Sequence, residues 1–173
     1  MALLVCQLID AQATENLGAE LAAQLPVAGV VALDGPLGAG KTTLTRGFLR
    51  ALGHRGRVRS PSYSVLESYD LGGRRVLHLD LYRVTDPSEL DFLGLREQLD
   101  ARTLVLVEWP QRAATALPPT LLDIQLDYEG IGRVARLWTP STDPEGVLHR
   151  LRSSIGNEQC QLTDGLLDKN ACQ

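Results

Sequence analysis

Apolar and polar positions along the chain change period several times, and each change marks an element. The run LLVCQLI near the start predicts a strand, and Asp10 then opens AQATENLGAELAAQL, in which Leu17, Leu21 and Leu25 recur at helical spacing. GVVAL at 29–33 is a short, continuous run rich in β-branched residues, the pattern of a strand covered on both faces of a sheet. A glycine-containing loop follows it, and TLTRGFLRAL then shows helical apolar spacing up to Gly53. YSVLESYDLGGRRVLHLDLY predicts two strands around a Gly-Gly turn, and DPSELDFLGLREQL, opened by Asp86 and Pro87, predicts one or two short helices. TLVLVEW at 103–109 is a further apolar strand. Beyond the LPPT break, LLDIQLDYEGIGRVARLWT alternates about Glu129 to Gly132, which predicts an antiparallel hairpin at a sheet edge. DPEGVLHRLRSSI predicts a closing helix. The final GNEQCQLTDGLLDKNACQ is polar and without a sustained period, so a loose tail or weakly docked segment is expected over 156–173, after a single domain over 1–155.

Composition narrows the setting. A chain of 173 residues, 44% of them apolar, makes one ordinary domain with a real core. Its formal charge of -4 weighs against a protein that wraps nucleic acid, since phosphate binding draws on an excess of Lys and Arg. Cys6, Cys160 and Cys172 form no C-x-x-C pair and are odd in number, which predicts reduced thiols in a cytosolic protein. MALLVCQLID lacks the basic start and cleavage site of a signal peptide, and no run approaches the roughly 18 apolar residues of a membrane span. A soluble cytoplasmic chain with no membrane partner is expected.

The glycine loop carries the chemistry. Gly35, Gly40, Lys41 and Thr42 satisfy G-x-x-x-x-G-K-[ST] between a buried strand and a helix, where a phosphate cradle has to sit. Gly38, Ala39 and Gly40 let the backbone curl so that successive N–H groups and the helix N-terminus face the phosphates. Lys41 supplies a point charge for the β- and γ-phosphates, Thr42 a hydroxyl for Mg²⁺, and Thr43 an α-phosphate contact. Pro36 lies too early in the loop to remove an essential donor. These features predict an α/β P-loop NTPase fold with a central, mostly parallel sheet, antiparallel edge strands and flanking helices.

Hydrolysis also needs a carboxylate for the metal and a group that orients the attacking water. Asp80 in VLHLDLYR and Glu108 in LVLVEWP each end an apolar strand, the position of carboxylates at the C-terminal edge of a nucleotide-binding sheet. One of them holds Mg²⁺ and the other positions water, and the sequence leaves the assignment open. Asp80 also fits a turn cap and Glu108 an exposed strand-end charge; Trp109 fits the core or a contact with nucleotide or partner. No N-K-x-D motif is present, which argues against guanine specificity. The basic run HRGRVRS at 54–60 fits a solvated loop better than the arginine-bearing lid of a small-molecule kinase.

GPLGAGKTTLTRGFL, VRSPSYSVLESY, HLDLYRVTDPSELDFLGLRE and LVLVEWPQR, in this order, resemble the TsaE (YjeE) family, P-loop ATPases of tRNA threonylcarbamoyladenosine biosynthesis, over about residues 3–140. The resemblance implies ATP or ADP binding with Mg²⁺, low hydrolysis alone, and activity expressed with the partner proteins TsaB and TsaD, tRNA being reached through that complex. It places Lys41 and Thr42 on the family's phosphate and magnesium positions, Asp80 on its DLYR aspartate, and Glu108 and Trp109 on its EW pair. It also implies that Ser60 to Tyr63 form a switch-like segment, with Ser62 where Thr is usual, and that Pro36 replaces an acidic residue. A segment drawn inward by ATP and Mg²⁺ and released on hydrolysis would give a partner two surfaces to distinguish. A nucleotide-dependent scaffold with incidental hydrolysis, or a P-loop kinase, are the alternatives.

Overall fold

The computed structural model describes residues 2–140, 146–156 and 159–164. The chain runs β1 (Ala2–Leu8), α1 (Ala11–Gln24), β2 (Gly29–Asp34), α2 (Lys41–Ala51), β3 (Leu66–Leu71), β4 (Arg74–Asp80), α3 (Glu89–Phe92), α4 (Leu95–Gln98), β5 (Thr103–Glu108), β6 (Leu122–Glu129), β7 (Gly132–Trp138), α5 (Val147–Ile155) and β8 (Cys160–Asp164). The strands form one sheet in the order β3-β4-β5-β2-β6-β7-β1-β8. β4, β5, β2 and β6 are parallel to one another, and antiparallel strands flank them on both sides.

Alternation along the parallel strands sends side chains to two helical layers. Val76, Leu104, Leu106, Val31 and Leu33 pack with Leu17, Leu21, Leu44, Phe48 and Leu49 of α1 and α2. Val30, Ala32, Leu77, Leu79, Val105 and Val107 pack on the other face with Leu90 and Leu95 of the short helices. Each buried Leu or Val contributes about 1.5–3 kcal/mol. α1 begins where expected, with the Asp10 carboxylate accepting the Ala13 N–H at 2.7 Å. It crosses α2 at very short range, because a Cβ at Gly18 would stand 2.1 Å from the Leu44 carbonyl oxygen and one at Gly47 2.0 Å from that of Glu15. Among the described residues no helix is long and apolar enough to cross a membrane.

The structure departs from the sequence pattern at the strands farthest apart in the chain. The β6–β7 hairpin is not an edge: β1 returns to pair with β7, and β8 pairs with β1. Alternation reports one wetter face of a strand and says nothing about which later or earlier strand lies beside it. β8 also takes residues 160–164 of the expected tail into the sheet; the tail from residue 165 lies outside the described residues.

The expectation of free thiols is overturned for two of the three cysteines. Cys6 and Cys160 face each other in the β1–β8 register and form a disulfide, both sulfurs buried, across a sequence separation of 154. Strand pairing makes this bond, and no local spacing could announce it. Cys172 lies outside the described residues. Closing so long a loop restricts the unfolded chain, so reduction should lower the unfolding free energy by about 2–5 kcal/mol. Urea midpoints of oxidised, reduced and Cys160→Ser protein test this: the last two should coincide well below the first, and three equal midpoints would show that the bond contributes nothing.

Candidate nucleotide-binding site

The glycine loop leaves the sheet at the C-terminal end of β2. Gly35 has φ of 135°, and a Cβ there would lie 2.1 Å from the carbonyl oxygen of Leu126 on the neighbouring strand, so the chain can turn off the sheet here only with glycine. Gly40, in the left-handed region at φ 108°, precedes α2, whose N-terminus carries no side-chain cap. No side chain caps the N–H groups of that first turn, an arrangement in which a helix N-terminus can receive an anion. They border a cavity of about 430 Å³, with Gly38, Gly40, Lys41, Thr42 and Thr43 on one wall.

Ser60, Ser62, Asp80, Glu108 and Trp109 make up much of the opposite wall. Parallel register explains the convergence, because Asp80 is the partner of Glu108, and Glu108 of Leu33 just before the loop. Three strand ends therefore finish at one level. Ala39, fully buried, lines a smaller adjoining cavity of about 150 Å³ instead, and Tyr63 projects outward, 85% exposed. Every other expected site residue borders the larger cavity.

Lys41 is buried, and its Nζ donates to the carbonyl oxygens of Gly35 at 2.5 Å and Pro36 at 2.9 Å while standing 4.1 Å from the centroid of the Trp109 ring. Burial lowers its pKa, and the carboxylates of Glu108, Asp34 and Asp80 only partly oppose this. Trp109 reaches its place through a left-handed backbone, φ 60°, immediately before Pro110. A non-glycine residue there stores about 1–3 kcal/mol, and such strain clusters at sites where a side chain must be aimed. Pro36 thus contributes its carbonyl, which also accepts the Ala39 N–H at 3.1 Å.

The two carboxylates are engaged differently. Asp80 accepts the Tyr82 N–H at 3.0 Å on Oδ1 and bonds the Ser60 hydroxyl through Oδ2, so it is a turn cap and an anchor of Ser60 together. Glu108 accepts the Thr42 hydroxyl at 2.8 Å and meets His78 Nε2 at 2.9 Å, both on Oε1. The segment after Ser60 ends in a tight turn at Val65, a β-branched residue at φ 64° whose N–H donates to the Pro61 carbonyl at 2.6 Å.

Sequence reasoning missed several lining residues. Tyr82 and Arg83 follow Asp80 directly and border the larger cavity, and the Arg83 guanidinium stands 4.4 Å over the Tyr63 ring. Arg55, Arg57 and Arg59 of the basic run are exposed and do not line it. The smaller cavity, which shares Gly40 and Thr43, adds Asp10 and Thr14 at the start of α1, Ile131 in the β6–β7 turn and Arg133 on β7, none of which belongs to the glycine-loop motif.

A family profile described as "Threonylcarbamoyl adenosine biosynthesis protein TsaE" matches residues 8–135. The chain belongs to the TsaE family. The Haemophilus influenzae tRNA threonylcarbamoyladenosine biosynthesis protein TsaE is 44% identical over 99 residues, which cover 57% of this chain and 63% of that protein. This chain therefore spans under two thirds of that relative. The Mycobacterium leprae protein of the same name is 34% identical over 150 residues, covering 80% of this chain and 92% of the other. In three dimensions, a crystal structure of Bacillus subtilis YdiB superimposes with a TM-score of 0.76 at 26% identity, covering 90% of this chain and 99% of that one. The α/β architecture is that of a P-loop nucleotide-binding protein, and the TsaE family is one of tRNA threonylcarbamoyladenosine biosynthesis.

Proposed function

We propose that this protein binds ATP or ADP with Mg²⁺ and hydrolyses ATP as a partner-activated motor for threonylcarbamoyl modification of the adenosine beside the anticodon in tRNAs reading codons that begin with A. In this reading it resets a TsaB–TsaD complex between turnovers, in the cytoplasm, and contacts tRNA only through that complex. The observation that carries it is the meeting of Lys41, Thr42, Asp80 and Glu108 around one cavity at the ends of three parallel strands. Gly38, Gly40, Lys41 and Thr43 hold the phosphates, and the adjoining cavity beside Thr43, with Asp10, Ile131 and Arg133, takes the nucleoside end.

The donors on the metal side are hard oxygens, from Thr42 and Asp80, and this suits Mg²⁺, while Glu108 orients the attacking water. Among the described residues no group of three or more His, Cys, Asp or Glu could hold a metal by itself. That fits an ion whose remaining positions belong to phosphate and water. When bound, it neutralises the charge developing on the transferred phosphoryl group.

Tyr63 and Phe92 are 85% and 89% exposed, and Leu37 at the cavity wall is 70% exposed. Ser60 is bonded to Asp80, so the exposed Tyr63 follows a residue tied to the site, which favours a partner that senses nucleotide. Phosphate release from ATP, by the protein alone and with TsaB plus TsaD, tests the reading. Slow release stimulated at least tenfold by the pair supports it; unchanged release, with label passing to a small-molecule acceptor, would replace it by the kinase.

A further inference from the structure

His78 is wholly buried on β4, on the sheet face that packs against α2, among Val76, Leu104 and Leu106. The neighbours of that position on this face are aliphatic. The imidazole instead keeps Nδ1 buried with no hydrogen-bond partner, at a cost of about 1–3 kcal/mol. Its other nitrogen is fully used: Nε2 lies 2.9 Å from Glu108 Oε1. A carboxylate can only accept, so Nε2 carries the hydrogen.

The same Oε1 also accepts from Thr42. Two donors on one oxygen hold the carboxylate, and both bonds fall on Oε1, so Oε2 is not spent on either of them at the cavity that Glu108 lines. Under the proposed function the Thr42 hydroxyl turns to the metal when nucleotide is loaded, and His78 then remains as the fixed support. We propose that His78 is a positioning residue that holds Glu108 in its hydrolytic orientation through Nε2–H, above all in the nucleotide-loaded state. This rests on the reading of Glu108 as the carboxylate that orients water. A bond from a rigid strand, set by a ring with no freedom to leave its slot, preorganises such a group better than a hydroxyl recruited elsewhere.

A matched set of variants separates positioning from packing. The amide nitrogen of His78→Gln can take the place of Nε2, that of His78→Asn corresponds to Nδ1, and His78→Leu offers no donor. Partner-stimulated phosphate release should show kcat lowered about 10–100-fold in the Leu and Asn variants, with KM for ATP and affinity for ADP within about twofold, and largely restored in Gln. Nitrogen-15 ring shifts of wild-type protein should report the Nε2–H tautomer both alone and with Mg·ADP. Equal losses in Gln and Asn, a Leu variant with wild-type kcat beside an inactive Glu108→Ala, or an Nδ1–H tautomer would each overturn the inference. Full turnover in Glu108→Ala would instead overturn the hydrolytic reading, and this inference with it.

Discussion

Glu108→Ala should keep its nucleotide and lose turnover, with partner-stimulated phosphate release falling about 10²–10⁴-fold, the range for removal of a positioned acid–base group. That is a loss of roughly 3–5 kcal/mol of transition-state stabilisation, and ATP affinity should stay within a few fold. The two carboxylates are occupied differently. Asp80 bonds the Tyr82 N–H through one oxygen and the Ser60 hydroxyl through the other, so it is built into the loop after β4 and tied to Ser60. Glu108 lines the cavity with both its hydrogen bonds on Oε1, so neither engages the second oxygen. Such an oxygen on a fixed carboxylate suits a water better than it suits a structural role. The fluorescence of Trp109, beside Lys41, gives the binding readout independently of hydrolysis. Affinity that collapsed together with turnover would move Glu108 to the metal and leave the water to Asp80.

Much of this site was legible in the sequence because its parts are local. The glycine loop lies within one strand–turn–helix unit, so residue type, spacing and backbone need all coincide between Gly35 and Thr42. The ends of β4 and β5 were legible for a related reason, since an apolar run closed by a carboxylate shows where the strand stops. What the sequence could not give is lateral order. Nothing near Cys6 points to Cys160, and nothing in the alternation of β6 and β7 shows that β1 and β8 lie beyond them. His78 was hidden differently: in an apolar strand a lone histidine reads as a core residue, and its meaning lies in Glu108, thirty residues on. Arg83 did have a signal, its place directly after the DLY of β4's exit, while Arg55, Arg57 and Arg59 of the basic run drew attention by charge alone and do not line the cavity.

Lys41→Ala should lose nucleotide and turnover together, with affinity for ATP and ADP falling about 100-fold or more while the fold persists. Buried among backbone carbonyls and the Trp109 ring, the ammonium has hydrogen-bond acceptors but no carboxylate bonded to it, and burial lowers its pKa. A polyphosphate supplies the missing negative charge, so binding and protonation of Lys41 reinforce each other. It follows that affinity for nucleotide is full where the free protein's Lys41 is protonated and declines as pH rises through its lowered pKa, earlier than an exposed lysine would dictate. Charge-assisted bonds to phosphate contribute about 1.5–3 kcal/mol each, and Lys41 has the reach for more than one oxygen, which sets the 100-fold scale. Stability should change little, because the truncation removes an incompletely compensated buried charge along with its bonds. Titrating ATP against Lys41→Ala and wild type while following tryptophan emission, with a thermal melt as the folding control, measures both. Affinity within threefold of wild type in a folded variant would mean that the helix N-terminus after Gly40 holds the phosphates unaided, and that the cation serves only the chemical step.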